Sequence, residues 1–116
     1  MGISTHILDT SRGRPAGQVR VTLERVLDGA FQPIGESVTN DDGRVRSLLP
    51  EDTTSSPSLQ SGTYRLTFQI ADYFKGRGQA CFYPSVSITF DVGSPDEHYH
   101  VPLLISPFGY STYRGS

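Results

Sequence analysis

A chain of 116 residues with 10 Lys and Arg, 12 Asp and Glu and a net charge of −2 has the size of one domain. It carries no basic cluster, which argues against nucleic acid as a partner, and no apolar run of about 18 residues that could span a membrane. Its one cysteine, Cys81, cannot close an internal disulfide, so the disulfide-scaffold class is excluded and a reducing compartment is permitted.

Residues 3–9 suit a strand, and Arg12-Gly13-Arg14-Pro15-Ala16-Gly17 supplies the turn chemistry that ends it, leaving His6 in mid-strand. Residues 18–24 alternate, with Val19, Val21 and Leu23 on one side and Arg20, Thr22 and Glu24 on the other, as in a strand wet on one face. Leu27-Asp28-Gly29-Ala30 reads as a hairpin turn. Residues 31–39 form a weaker strand whose Pro33 and Gly35 predict an edge position. Asn40-Asp41-Asp42-Gly43 is a turn followed by a short strand over 44–49, and 50–62 reads as an exposed loop rich in Ser, Thr and Pro.

The clearest strand runs over 64–70, where Tyr64, Leu66, Phe68 and Ile70 alternate with polar residues. Asp72 can then cap one or two helical turns that Gly76 or Gly78 would end. Val86, Ile88, Phe90 and Val92 give another strand. In 98–105, Tyr99, Val101, Leu103 and Ile105 face inward while His98 and His100 share the other face. Ser106-Pro107-Phe108-Gly109 turns the chain, and β-type residues resume over 110–113. The pattern predicts one all-β domain over 1–116, an antiparallel sandwich of seven or eight strands with one short helix.

No phosphate loop, dinucleotide fingerprint, zinc-spaced cysteine cluster or nucleophile elbow occurs. His98 and His100, two residues apart on a strand, could chelate a metal, but only His6 offers a third ligand and no carboxylate is placed beside them. No metal is expected, and each histidine alone reads as a surface or hydrogen-bonded residue. Arg44 alone reads as a solvated strand end and Arg114 as a mobile one. The last four residues, Tyr113-Arg114-Gly115-Ser116, nevertheless gather a phenol, a guanidinium, a hydroxyl and a carboxylate at one address.

The stretch His6-Ile7-Leu8-Asp9-Thr10-Ser11-Arg12-Gly13-Arg14-Pro15-Ala16-Gly17-Gln18-Val19 closely resembles the N-terminal signature of the transthyretin family. Residues 99–113, with the core Leu-Ile-Ser-Pro-Phe-Gly-Tyr-Ser-Thr, resemble its C-terminal signature, and the likeness continues through Asn40-Asp41-Asp42-Gly43-Arg44 and Phe82-Tyr83-Pro84. The terminal Tyr-Arg-Gly-Ser is similar to that of the family's enzyme branch, which hydrolyses 5-hydroxyisourate in urate degradation, and not to its hormone carriers. The resemblance implies a transthyretin-like sandwich, a homotetramer built as a dimer of dimers, a small-molecule substrate and no cofactor. It implies catalytic roles for His6, Arg44, His100 and Ser116, and substrate contacts from these with Tyr113, Arg114 and Gly115. His98 is not carried over, because the family's functional histidine immediately precedes the Val-Pro-Leu-Leu run. The alternative is a non-catalytic carrier of a small ligand. The start Met1-Gly2-Ile3-Ser4-Thr5-His6 lacks the regions of a secretory signal, so a cytoplasmic location is expected, with a peroxisomal one reached without a readable signal as the alternative.

Overall fold

The structure, a computed structural model, describes residues 2–49 and 59–116. Nine strands and one helix are formed among them: β1 (Gly2–Asp9), β2 (Arg14–Pro15), β3 (Arg20–Leu27), β4 (Ala30–Val38), β5 (Arg44–Val45), β6 (Gly62–Phe68), α1 (Ile70–Lys75), β7 (Val86–Val92), β8 (His98–Ser106) and β9 (Gly109–Thr112). Two strands are two-residue fragments, so seven are of ordinary length, within the range the alternation predicts. They form two sheets, one ordered β2-β1-β8-β9 with β5 also on β1, the other ordered β4-β3-β6-β7.

One pairing departs from the expected antiparallel arrangement. β1 and β8 run parallel, with Ser4 opposite His100 and His6 opposite Pro102. Side-chain alternation has the same period of two in either orientation, so the sequence pattern carries no signal of it. The other pairings are antiparallel, and β4 lies at a sheet edge as Pro33 and Gly35 require, with a register shift opposite Leu23 and Glu24.

The core lies between the inner faces. From the first sheet come Ile3, Ile7, Tyr99, Val101, Leu103 and Ile105, and from the second Val21, Leu23, Tyr64, Leu66 and Phe68, all buried. Each of the fully buried aliphatic or Phe side chains contributes about 1.5–3 kcal/mol relative to exposure. Two polar groups of β1 share this inner face and are satisfied there. The Thr5 hydroxyl donates to the Val101 carbonyl at 2.6 Å. Asp9, fully buried, accepts from the Ser11 amide, the Ser11 hydroxyl and the Tyr73 hydroxyl.

Three local expectations are corrected. The helix begins two residues before Asp72, with Gln69 at the cap position and no side-chain cap bond. Ile70 and Phe74, four residues apart and both buried, fix it by packing instead. The strand expected over 44–49 is regular only at Arg44–Val45, because the chain then leaves the ladder; Leu48 returns to donate its amide to the Ile3 carbonyl. Of the loop expected over 50–62, residues 50–58 lie outside the described residues, while Leu59 is buried and Gly62 already opens β6.

Candidate active site

With odd-numbered residues of β1 in the core, Ser4, His6 and Leu8 must face outward, and the parallel register puts His98, His100, Pro102 and Leu104 of β8 beside them. β5 brings Arg44 directly opposite His6 on the other side of β1. The last residues of the chain bring Gly115 opposite His100 on the other side of β8, its amide donating to the His100 carbonyl at 2.8 Å. Two rows therefore cross the outer face: Arg44, His6 and Pro102 in one, Ser4, His100 and Gly115 in the next.

The Asn40-Asp41-Asp42-Gly43 turn fixes the place of Arg44. The Asn40 side chain accepts from the Asp42 and Arg44 amides, and the Gly43 carbonyl accepts from the Ile7 amide at 2.8 Å. Gly43 has φ +74°, and a Cβ there would collide with the Ile7 carbonyl oxygen, so only glycine lets the turn lie this close to β1.

A cleft of about 430 Å³ opens on this face, lined by Ser4, Arg44, Arg46, His98, His100 and Ser116 among others. Of the residues singled out in the sequence, Arg44, His100 and Ser116 meet there. His6 and Tyr113 line an adjoining depression of about 200 Å³ with Leu8, Pro102 and Leu104. Arg114 does not turn toward either space: its guanidinium lies 4.7 Å from the Tyr99 ring centroid and donates to Glu97 at 3.3 Å, and it borders a more apolar hollow of about 250 Å³. Gly115 packs on the His100 ring, where an added Cβ would come within 2.6 Å of Cδ2. Arg46, Ser4 and His98 were not singled out for this site. Arg46 was detectable, since it shares the face of Arg44 by alternation. His98 was detectable as a neighbour of His100, but the place of Ser4 depends on a register between strands far apart in sequence.

The electrostatics of this face keep its imidazoles neutral. Partial burial and, beyond it, the Arg44 guanidinium pull His6 below the ordinary imidazole pKa, with the Asp42 main chain and carboxylate opposing. His100 is lowered by burial first, then by His6, Arg44 and His98, and His98 is lowered chiefly by burial. Because the folded imidazoles hold protons less tightly than unfolded ones, stability is full at neutral pH and falls as pH drops below about 6.5 toward their lowered values. Urea unfolding as a function of pH should show this loss, and the His6→Gln/His100→Gln double variant should flatten it. Among the described residues no group of three or more His, Cys, Asp or Glu side chains converges as a metal site.

The sequence profile of the HIUase/Transthyretin family matches residues 3–115. A 5-hydroxyisourate hydrolase of Deinococcus radiodurans is 51% identical over 99% of this chain and 96% of its own length. Among solved structures, that of Klebsiella pneumoniae 5-hydroxyisourate hydrolase superposes with a TM-score of 0.83 at 37% identity and covers both chains fully. Sea bream transthyretin in complex with thyroxine superposes at 0.87 with 29% identity, covering 99% of this chain and 95% of that one. A sheet face bearing His6, Arg44 and His100, a close-packed tail and matches over nearly the whole length lead to one assignment: the chain belongs to the HIUase/transthyretin family.

Proposed function

We propose that the chain hydrolyses the ring amide of 5-hydroxyisourate, yielding 2-oxo-4-hydroxy-4-carboxy-5-ureidoimidazoline. The observation that carries this reading is the convergence of imidazoles and a fixed guanidinium on one sheet face: His100 beside Ser4, Arg44 and Ser116 in the cleft, with His6 opposite Arg44 at the adjoining depression. The names of the relatives supply the substrate.

Water is a poor nucleophile at neutral pH, and a neutral imidazole takes its proton as it attacks the carbonyl. His100 and His6 share that task between base and substrate orientation, and their lowered pKa values keep the base form available across neutral pH. Arg44 cannot lose its charge, and its planar fork holds the carbonyl-rich, anionic substrate and stabilises the oxyanion as it forms. Ser116 orients substrate or water from the tail, with Tyr113 and Gly115 closing the side next to His6 and His100. No cofactor enters this chemistry.

The functional unit in this reading is a homotetramer, a dimer of dimers in the cytoplasm, with clefts closed where outer faces meet. The half-buried Leu8 and Leu104 beside the imidazoles support a face that a second copy covers. Sedimentation equilibrium tests the assembly. To test the activity, 5-hydroxyisourate is generated from urate with urate oxidase and its ultraviolet absorbance is followed; faster decay with the protein present supports the hydrolase, and an unchanged decay overturns it.

The cation at position 44 is tested separately. Arg44→Lys keeps a charge but loses the paired donors, so kcat/KM should fall by about 10²-fold, nearly as far as in Arg44→Gln. Full activity in the lysine variant would reduce Arg44 to a general electrostatic role.

A further inference from the structure

Ser4 and two imidazoles form a continuous hydrogen-bonded line on the outer face. The Ser4 Oγ lies 2.7 Å from His98 Nε2 and 2.8 Å from His100 Nδ1. β1 carries the serine, and the parallel register that sets it opposite His100 also sets Gly2 opposite His98, so the hydroxyl falls between histidines two residues apart. Ser4 is only 8% exposed, which leaves its hydroxyl these two rings as partners rather than bulk water.

A hydroxyl has one proton to donate, so one ring must present an N–H to Ser4 and the other a lone pair. Two neutral arrangements satisfy this. In the first, His98 donates to Ser4 and Ser4 donates to His100 Nδ1, which leaves the His100 proton on Nε2 and no base at that nitrogen. In the second, His100 Nδ1 donates to Ser4 and Ser4 donates to His98 Nε2, which leaves a lone pair on His100 Nε2. Only the second can accept a proton from water.

We propose that Ser4 and His98 are positioning residues for His100, a relay that holds its proton on Nδ1 and passes a proton between the two rings during turnover. The inference rests on His100 being the base of the hydrolase reading. As water attacks and its O–H bond breaks, the proton bonds to His100 Nε2. The Nδ1 proton then moves to Ser4 Oγ while the Ser4 hydroxyl proton moves to His98 Nε2. One proton has entered, one new N–H bond exists at His98, and the positive charge rests on the more exposed of the two rings. The reverse shift restores the charge to His100, whose Nε2 proton goes to the nitrogen released as the amide C–N bond breaks. The surroundings support this assignment, since burial first and the fixed charge of Arg44 beside it disfavour a proton settling on the half-buried His100, whereas His98 is the more exposed ring.

The test uses the whole assembled protein with ¹⁵N-labelled histidine, alone and turning over 5-hydroxyisourate. In the parent, NMR should find His100 with a protonated Nδ1 and an unprotonated Nε2. Ser4→Ala should lose that preference, and Ser4→Thr, which keeps the hydroxyl, should retain it. In kinetics, Ser4→Ala and His98→Gln should each lose about tenfold to hundredfold in kcat with little change in KM, and Ser4→Thr should recover most of it. An unchanged His100 tautomer in Ser4→Ala, or a kcat equal to the parent's, overturns the relay. A parent that fails to hydrolyse 5-hydroxyisourate overturns the hydrolase reading and the relay's catalytic part with it. The tautomer measurement then still reports whether the hydrogen-bonded line exists.

Discussion

His100→Ala should lower the turnover of 5-hydroxyisourate by about 10²–10⁴-fold, the scale of a lost general base, and leave the assembly intact. The ring is half-buried between Ser4 and Gly115 on the outer face, so its removal opens space without touching the core beneath β8. His6→Ala should fall in the same range, because His6 is the second neutral imidazole on that face and stands directly across from Arg44. His98→Ala should lose less than either, about tenfold to hundredfold, as the relay requires. Stopped-flow absorbance on variants of confirmed mass gives the comparison. Near-normal activity in His100→Ala would remove it from the mechanism, and a large loss in His98→Ala with His100→Ala tolerated would exchange their roles.

A hexahistidine extension after Ser116, or removal of Arg114-Gly115-Ser116, should abolish most activity with little change in melting temperature, while the same tag before Met1 should be better tolerated. Ser116 lines the cleft, and the Gly115 amide bonds to the His100 carbonyl, so residues added beyond Ser116 start in the space assigned to substrate. Little core depends on the tail, since Tyr113 and Arg114 are exposed. Gly115→Ala gives a version of the same test at constant length, because its methyl would press on the His100 imidazole. The extended and truncated proteins must be compared at equal assembly. Full activity in the extended protein would mean that the tail is no part of the site.

The alternation in the sequence was sufficient for the long strands because each has one face in the core and one outside, as Tyr64, Leu66 and Phe68 do against Arg65 and Thr67. It failed where packing from elsewhere decides the local structure. Arg46 to Leu49 have strand-like composition but leave the ladder, and the helix starts where Ile70 finds the core, not where Asp72 offers a cap. The site divides the same way. His6, Arg44, His100 and Ser116 were named through the resemblance at the two signatures and the turn, whereas the serine bridging two histidines depends on inter-strand register. Nothing in residues 2–6 alone says that Ser4 will meet residues more than ninety positions away.

The parallel pairing of β1 with β8 also orders events in time. The second sheet is drawn wholly from residues 20–92, begins with the tight β3–β4 hairpin, and can close from neighbouring segments. The sheet that bears the imidazoles joins residues 2–9 to residues 98–106, so its closure waits for the slow, entropically costly meeting of distant segments. Pulsed hydrogen exchange during refolding should protect β3 and β6 amides before those of β1 and β8; simultaneous protection would show that the sheets nucleate together. On a ribosome the consequence is stricter: a nascent chain that has reached residue 92 holds every strand of one sheet and not one complete row of the cleft.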